Sequence, residues 1–433
     1  MSRYLAVDFG TSNCAAGFMQ HQQPQLLQLE QDGSRYLSSA LYIERQRDPE
    51  DDEAYLSASL TALLRQQQQV LIGKAAHQRY SHDPLGGIFI RSPKSMLGSR
   101  LTPAQTEIYT QVATLLLQQI LQQAGAQLDA PVTQLLLGRP VHFQGLDQAV
   151  GDARAEQILR EAARRLGVEE VLFAFEPVAA AVEYERTLAQ EQLVLVVDIG
   201  GGTTDISLIR LGPKLANKFD RSPDLLAHSG RRIGGVDMDI KFCIYGLMSL
   251  FGRQSPDLTG KPLPASLFSD AVNIIDIHAQ ERFYAPASWD ELQLLQQKAA
   301  QPDLLQRFST VWQQHLSYYL NQQAEQAKIA LTQQPQVQVV LDRVEAGLAQ
   351  QLSQQQLTEA LYQELAGIGR LIQDCLQGAQ SRPDAVFVTG GSSAIPGIAP
   401  LLQQLLPDVP VVRGDQFGSV GMGLCKLGQL AFA

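Results

Sequence analysis

The sequence predicts an α/β protein made of two related domains with a ligand held between them. Three observations lead there. The stretch Leu193-Val194-Leu195-Val196-Val197 reads as a buried strand. It runs into Asp198-Ile199-Gly200-Gly201-Gly202-Thr203-Thr204-Asp205, a glycine-rich turn with two hydroxyls bracketed by two aspartates. The N-terminus repeats this in shorter form: an apolar strand at Tyr4–Val7, then Asp8, then Phe9-Gly10-Thr11-Ser12-Asn13 before the apolar run Cys14–Met19. Around these units, strand segments alternate with amphipathic helices, the pattern of a sheet covered on both faces.

An apolar strand entering a glycine turn exposes backbone N–H groups to a phosphate. Gly200, Gly201 and Gly202 can take φ > 0 and place no Cβ between backbone and ligand. Asp198 and Asp205 suit Mg²⁺, which keeps several of its waters and is met through them. Three glycines alone would read as a tight hairpin with a solvated tip; the two aspartates that bracket them after five apolar residues favour phosphate. The turn's echo at Asp8–Ser12 favours a duplicated domain clamping one ligand.

Composition narrows the class. At 433 residues the chain exceeds one ordinary core, so two or more domains are expected. Hydrophobic content of 45% and charged content of 18% are those of a globular protein. A net charge of -10 argues against nucleic-acid or anionic-membrane partners. Cys14, Cys243, Cys375 and Cys425 fit neither a metal nor a disulfide spacing and read as buried apolar side chains. No secretory signal or membrane-length apolar run is visible, which points to the cytoplasm.

In chain order, residues 31–107 form a more polar excursion, with a surface loop at Arg45–Glu53, a polar tract at Gln66–Gln69, then strand, turn and helix start from Val70. Lys94 in Arg91-Ser92-Pro93-Lys94-Ser95-Met96-Leu97-Gly98 reads by itself as a surface charge. Helices are expected at Pro103–Ala124 and Ala153–Leu166, with strands at Val132–Leu137 and Val171–Phe175. Glu176-Pro177 ends the latter, and Val178–Glu185 continues as an alanine-rich helix. Gly234-Gly235 leads into an amphipathic helix; the pair is either a phosphate contact or a loop that needs φ > 0. Residues 250–310 are cut into short pieces by Pro256, Pro262, Pro264, Pro286 and Pro302, and Trp289 and Trp312 there suit core packing or a partner equally. A helix over Gln313–Leu331 carries Glu325 and Lys328, spaced as an i,i+3 ion pair. A strand at Val337–Leu341 and a long helix at Thr358–Leu376 follow. Then comes a third strand-to-glycine unit, Ala385-Val386-Phe387-Val388-Thr389-Gly390-Gly391-Ser392-Ser393, and helices at Ile398–Leu406 and about Gly418–Leu430.

There is no P-loop lysine motif and no G-x-S-x-G elbow. The seven histidines, His77, His142 and His228 among them, form no zinc pattern, and Arg413-Gly414-Asp415 reads as a turn. What remains is three glycine turns after strands, with aspartates at two.

That set resembles the actin/heat-shock-70/sugar-kinase superfamily, most closely the nucleotide-binding domain of heat-shock-70 chaperones, over nearly the whole chain and in the same order. Asp8–Asn13 is similar to the first phosphate motif, Asp198–Asp205 to the second, and Val388–Pro396 to the adenosine motif. The resemblance implies a two-lobed, actin-like ATPase fold with duplicated ribonuclease-H-like domains. Lobe I would span 1–185 with 39–107 inserted, and lobe II 186–433 with about 236–365 inserted. The chain would lack the peptide-binding domain, like the short YegD-like branch.

The ligands so implied are ATP/ADP and Mg²⁺, with K⁺ as a further ion. Catalytic roles fall to Lys94, Glu176 and Asp205; Asp8, Asp198 and Asp205 would hold Mg²⁺ through water. Nucleotide contacts fall to Gly10, Thr11, Ser12, Asn13, Gly200, Gly201, Gly202, Thr203, Thr204, Gly234, Gly235, Glu325, Lys328, Ile329, Gly390, Gly391, Ser392 and Ala394. Ile329 and Ala394 stand where the family has arginines on the adenine side, removing two contacts worth roughly 0.5–2 kcal/mol each. The region of about 245–318 is longer than the family's. The implied activity is a hydrolytic, chaperone-like switch with an unidentified protein partner or client; a small-molecule kinase and a nucleotide sensor or actin-like filament protein are the alternatives.

Overall fold

The computed structural model describes residues 4–44, 69–83, 86–128, 131–143, 145, 148–415 and 418–433. The loop expected at Arg45–Glu53 and all but the last residue of the tract Gln66–Gln69 lie outside them. The chain divides into two compact units. One comprises Met1–Arg232, Arg370–Ser393 and Asp408–Ala433, the other Ile233–Gly369 and Ala394–Pro407.

The strands are β1 (Tyr4–Asp8), β2 (Asn13–Gln20), β3 (Gln23–Leu26), β4 (Tyr36–Ser38), β5 (Ala40–Glu44), β6 (Val70–Ile72), β7 (Gly87–Arg91), β8 (Gln134–Arg139) and β9 (Glu170–Phe175). They continue with β10 (Gln192–Ile199), β11 (Thr204–Leu211), β12 (Leu225–Arg231), β13 (Gln336–Val340), β14 (Ala349–Ser353), β15 (Ala385–Thr389) and β16 (Val411–Arg413).

In the first unit one sheet runs β3-β2-β1-β8-β9, with β4 also on β2, and another runs β12-β11-β10-β15-β16. The two orders are the same topology used twice. In each, a central strand pairs antiparallel with its hairpin partner and parallel with a strand that follows a long crossover. The duplication expected from the two turns is therefore a duplication of whole sheets. The edge strands β12 and β16 were not anticipated, because Leu225-Leu226-Ala227-His228-Ser229-Gly230-Arg231 lacks alternation and β16 is three residues long.

Alternation decides which face of each strand meets which core. Leu5, Val7, Leu135 and Leu137 enter a core with helices Pro103–Leu128 and Gln148–Arg165. Ala6 and Leu136 face the other way, into a core shared with Val194 and Val196 of β10 and with helices Glu176–Glu185 and Ser419–Ala431. These two helices cross at backbone distance: a Cβ on Gly423 would lie 1.8 Å from the Ala179 carbonyl oxygen. A third sheet, β6-β5-β7, packs with helix Lys74–His82, and β7 leads into the short turn Pro93–Met96.

The second unit is mainly helical, with the hairpin β13–β14. Residues 250–310 contain helices Ala265–Val272, Ile277–Tyr284, Pro286–Lys298 and Pro302–Gln313. Pro286 and Pro302 stand at helix starts, where proline costs no hydrogen bond, so they initiate helices instead of breaking them. Trp289 and Trp312 lie with ring centroids 4.8 Å apart, and the Trp312 indole N–H donates to the Phe283 carbonyl at 2.7 Å. The helix expected over Gln313–Leu331 begins later, at Ser317, because His315 adopts φ 52 between two helices. The one expected over Thr358–Leu376 is two, Gln354–Ala360 and Tyr362–Ala379. Among the described residues no helix is long and apolar enough to cross a membrane.

Candidate functional site

The turns β1–β2 and β10–β11 meet tip to tip within the first unit. A Cβ on Gly201 would lie 1.8 Å from Ser12 Oγ, and one on Gly202 would lie 2.4 Å from Thr11 Cγ2. Gly10 is closed against its own turn, 2.0 Å from the Asn13 carbonyl oxygen by the same measure. Gly10, Gly200, Gly201 and Gly202 have no positive φ. Their use here is the missing Cβ, not the left-handed backbone that the sequence also allowed. Gly234, which opens helix Gly235–Gly246, is likewise extended at φ -139, so that pair is not explained by positive φ.

Behind the tips lie the acidic groups. Asp198 faces Asp205 directly across β10–β11, whereas Asp8 faces Ala15 across β1–β2. Lys94, 7% exposed, reaches Glu176 and forms an ion pair with its Oε1. Lys94 is therefore no free surface charge, and Glu176 begins its helix instead of ending the strand. Burial, then Asp205 and Glu176, push the Asp198 carboxyl up to about 7; burial and Glu176 do the same for Asp205, despite the Thr203 hydroxyl. Asp8 is raised by burial and by Glu176 and Asp198. Burial opposes the Lys94 ammonium, but Glu176 and Asp8 outweigh it and hold its pKa above the usual lysine value. Four carboxyl groups thus share one amine, an excess of negative charge that a divalent cation would relieve.

Among the buried polar atoms without a hydrogen-bond partner are Asp205 Oδ1, which lies against Gly230 of β12, and Ser12 Oγ at the interlocked tips. The nearest ring, His228, keeps its Nε2 3.9 Å from Asp205 Oδ1, beyond hydrogen-bond reach. Such orphans fit a polar ligand. Among the described residues no three His, Cys, Asp or Glu side chains converge as bare-ion ligands. An all-carboxylate donor set of this kind suits a hard cation that keeps part of its water shell.

The third glycine turn joins the second. Gly390 has φ 88, and a Cβ there would lie 2.5 Å from Asp198 Oδ1. The Ser392 N–H donates to the Ile199 carbonyl at 3.0 Å and its hydroxyl to the Gly200 carbonyl at 3.3 Å. Thr389 pairs with Asp198 across β15–β10, which places Gly390 and Gly391 next to the second glycine turn.

The remaining predicted residues belong to the second unit. Lys328 is buried, with its ammonium 2.6 Å from Asp239 Oδ1 and donating to the Gly235 carbonyl at 3.1 Å. It pins the start of helix Gly235–Gly246. Asp237 accepts the Gly234 N–H at 3.0 Å at the same helix start. Glu325 is half-buried one turn before Lys328, Ala394 is half-buried, and Ile329 is 56% exposed.

Sequence reasoning passed over His228, His142 and Asp152. His142 Nδ1 lies 2.8 Å from Asp152 Oδ2, and its ring meets that of His228 edge-on at 5.6 Å. The available signal was His228's position two residues before Gly230, which pairs with Asp205. It required knowing that 225–231 is a strand.

Comparison with known proteins agrees with this arrangement. A family model described as "Hsp70 protein" matches residues 66–254. The chaperone protein DnaK of Elusimicrobium minutum (strain Pei191) is 27% identical over 283 residues, which cover 63% of this chain and 39% of that protein. The chain thus spans less than half the length of this curated relative. With its duplicated sheets and its two aspartate-bearing glycine turns, the chain is similar to the heat-shock-70 proteins that this family model describes.

Proposed function

We propose that the chain binds ATP with Mg²⁺ and hydrolyses it, serving as a nucleotide-dependent, chaperone-like switch. The observation that carries this reading is the group of half-buried Asp8, Asp198 and Glu176 and buried Asp205 around buried Lys94, set behind two interlocked glycine turns with unpartnered Ser12 Oγ and Asp205 Oδ1. Asp8, Asp198 and Asp205 would hold Mg²⁺ through its waters, and the ion would offset charge on the phosphate oxygens.

Phosphoryl transfer asks mainly for positioning and charge stabilisation. Backbone N–H groups of Gly10–Ser12 and Gly201–Thr203 are proposed to cradle the phosphates. Lys94 neutralises charge on the transferred group, its own charge secured by Glu176. Glu176 and Asp205 orient the attacking water and accept its hydrogen bonds. With Glu176 and Asp205 placed to orient a water, hydrolysis is the reading favoured over transfer to a small molecule. Gly234, Gly235, Glu325, Ile329, Gly390, Gly391, Ser392 and Ala394 are the proposed nucleoside contacts. Lys328, held by Asp239, is proposed to act by fixing the Gly234–Gly235 segment.

Calorimetry of ATP, ADP and GTP with and without Mg²⁺ tests binding, and phosphate release by the wild type and by Lys94→Ala tests hydrolysis. A Mg²⁺-dependent ATP affinity with hydrolysis lost in Lys94→Ala is expected. Equal rates in the two would remove the lysine from the mechanism, and phosphorylation of a sugar would select the kinase reading.

A further inference from the structure

The first glycine turn and the lysine turn reach the site from separate strands, and one buried residue is bonded to both. Ser39 lies between β4 and β5. Its N–H donates to the Ser12 carbonyl at 2.9 Å and its hydroxyl to the Gly10 carbonyl at 2.8 Å. Its own carbonyl accepts the Ser92 N–H at 3.0 Å.

Ser92 leads into the turn that carries Lys94. It adopts the left-handed conformation, φ 57 and ψ 48, and stands immediately before the turn Pro93–Met96. A serine holds that conformation only when its surroundings fix it. Both of its main-chain groups are fixed: the N–H by Ser39, the carbonyl by the N–H and hydroxyl of Ser95, at 3.2 and 2.8 Å. Its own hydroxyl is buried without a partner, so the side chain does not supply the restraint.

We propose that Ser39 is a positioning residue of the hydrolytic site, setting the first phosphate turn and Lys94 in register through its bonds to Gly10, Ser12 and Ser92. The inference rests on the ATPase reading for its functional half only. Ser39 acts through the backbones it holds. A displacement of about 1 Å in such a site can lower a rate as much as a hundredfold.

The test compares Ser39→Ala, which loses the hydroxyl bond to Gly10 and the hydroxyl's 3.3 Å contact with Cys14 Sγ but keeps both main-chain bonds, with Ser39→Thr, which retains the hydroxyl; a change at Ser92 must therefore pass through a Ser39 segment freed from Gly10. In nucleotide-free protein, hydrogen exchange at the Ser39 and Ser92 amides should quicken together by about tenfold in Ser39→Ala, against unchanged protection in the core of β8, and recover in Ser39→Thr. In the hydrolysis assay, kcat should fall about tenfold in Ser39→Ala while the calorimetric Kd for ATP stays within about twofold, a split that general destabilisation does not produce. Unchanged exchange at Ser92, or an unchanged kcat, would overturn the proposal; so would a uniform loss of protection across β8. If the wild type binds ATP but does not hydrolyse it, the ATPase reading fails, and the exchange arm still decides whether Ser39 joins the two turns.

Discussion

The hairpins β1–β2 and β10–β11 are one device built twice, and their differences create the site. Ala15 lies seven positions after Asp8 and Asp205 seven after Asp198, and each pair faces across its hairpin. The turns therefore correspond position by position, Gly10 with Gly200, Thr11 with Gly201 and Ser12 with Gly202. One copy carries side chains at its tip; the other carries none. Bulk against void lets the two tips interlock, which two copies of either kind would not do. The second difference is charge: Ala15 stands where the second copy has Asp205. One hairpin thus supplies one carboxylate, the other two, and the group they form with Glu176 exceeds what Lys94 can neutralise.

The sharpest test of the correspondence is at its first glycine. A Cβ at Gly10 would sit 2.0 Å from a backbone carbonyl oxygen, which has no rotamer with which to yield. Gly10→Ala should lower stability by roughly 3 kcal/mol, read as thermal melting without nucleotide. Next is the interlock. Gly201→Ala drives a methyl into Ser12, so the tips must part; stability should fall by about 1–2 kcal/mol and hydrolysis by about a hundredfold. Adding Ser12→Gly should return the lost stability and leave the rate low, with a coupling above about 0.5 kcal/mol in the double-mutant cycle. Additive effects would mean the tips do not bear on each other.

The charge difference predicts a gain. Asp205→Asn removes a buried carboxylate opposite Asp198 whose Oδ1 has no hydrogen-bond partner, and should stabilise the nucleotide-free, metal-free protein by roughly 1–3 kcal/mol at pH 8 while abolishing hydrolysis. The pH dependence has a definite sign. Folding raises the Asp205 carboxyl from 3.8 to about 7, so between these values the folded protein binds protons the unfolded chain has released. Its contribution to stability therefore declines as pH rises through that window, and the advantage of Asp205→Asn should shrink toward zero near pH 5. His77 and His228 act oppositely. Burial pushes both down to about 4, so they weaken the fold as pH falls below 6.5. The difference between wild type and variant largely removes the histidine contribution. An advantage that grows toward pH 5 would contradict a carboxylate raised by burial.

What the sequence made legible follows from range. Strands with buried runs, such as Leu193–Val197 and Val386–Thr389, announce themselves locally, and so do glycine turns flanked by aspartates. Lys94 did not: its chain neighbours give a surface lysine, and only a family resemblance placed it near Glu176, eighty-two positions away. Ser39 gave no sign, and the position of His228 two residues before Gly230 meant something only once 225–231 was known to be a strand, because both residues meet their partners from other strands. Residues 250–310 misled for a different reason, since proline at a helix start and proline as a breaker look alike until the partners of the first turn are known. Lys328 showed the reverse error. Its spacing from Glu325 suggested an exposed pair, while its buried partner, Asp239, comes from another helix.

The smallest effect is also the most discriminating for the paired turns. Gly200 is the counterpart of Gly10, yet a Cβ on it would meet only the Thr203 carbonyl oxygen, at 3.4 Å, an ordinary contact. The second turn is instead closed by the Gly200 N–H donating to that same carbonyl at 2.9 Å, a bond that alanine retains. Gly200→Ala should therefore change stability by less than about 0.5 kcal/mol, since the gain from alanine's lower unfolded-state entropy is set only against one contact at 3.4 Å. Matching melting curves for Gly200→Ala and wild type, beside the loss in Gly10→Ala, would show that equivalent glycines in the two copies are kept for different reasons. The first closes its own turn, whereas in the second turn the steric demand has passed to Gly201 and Gly202, where the opposite tip intrudes. A large loss in Gly200→Ala would instead mean that both turns are equally tight, and the asymmetry would then rest on charge alone.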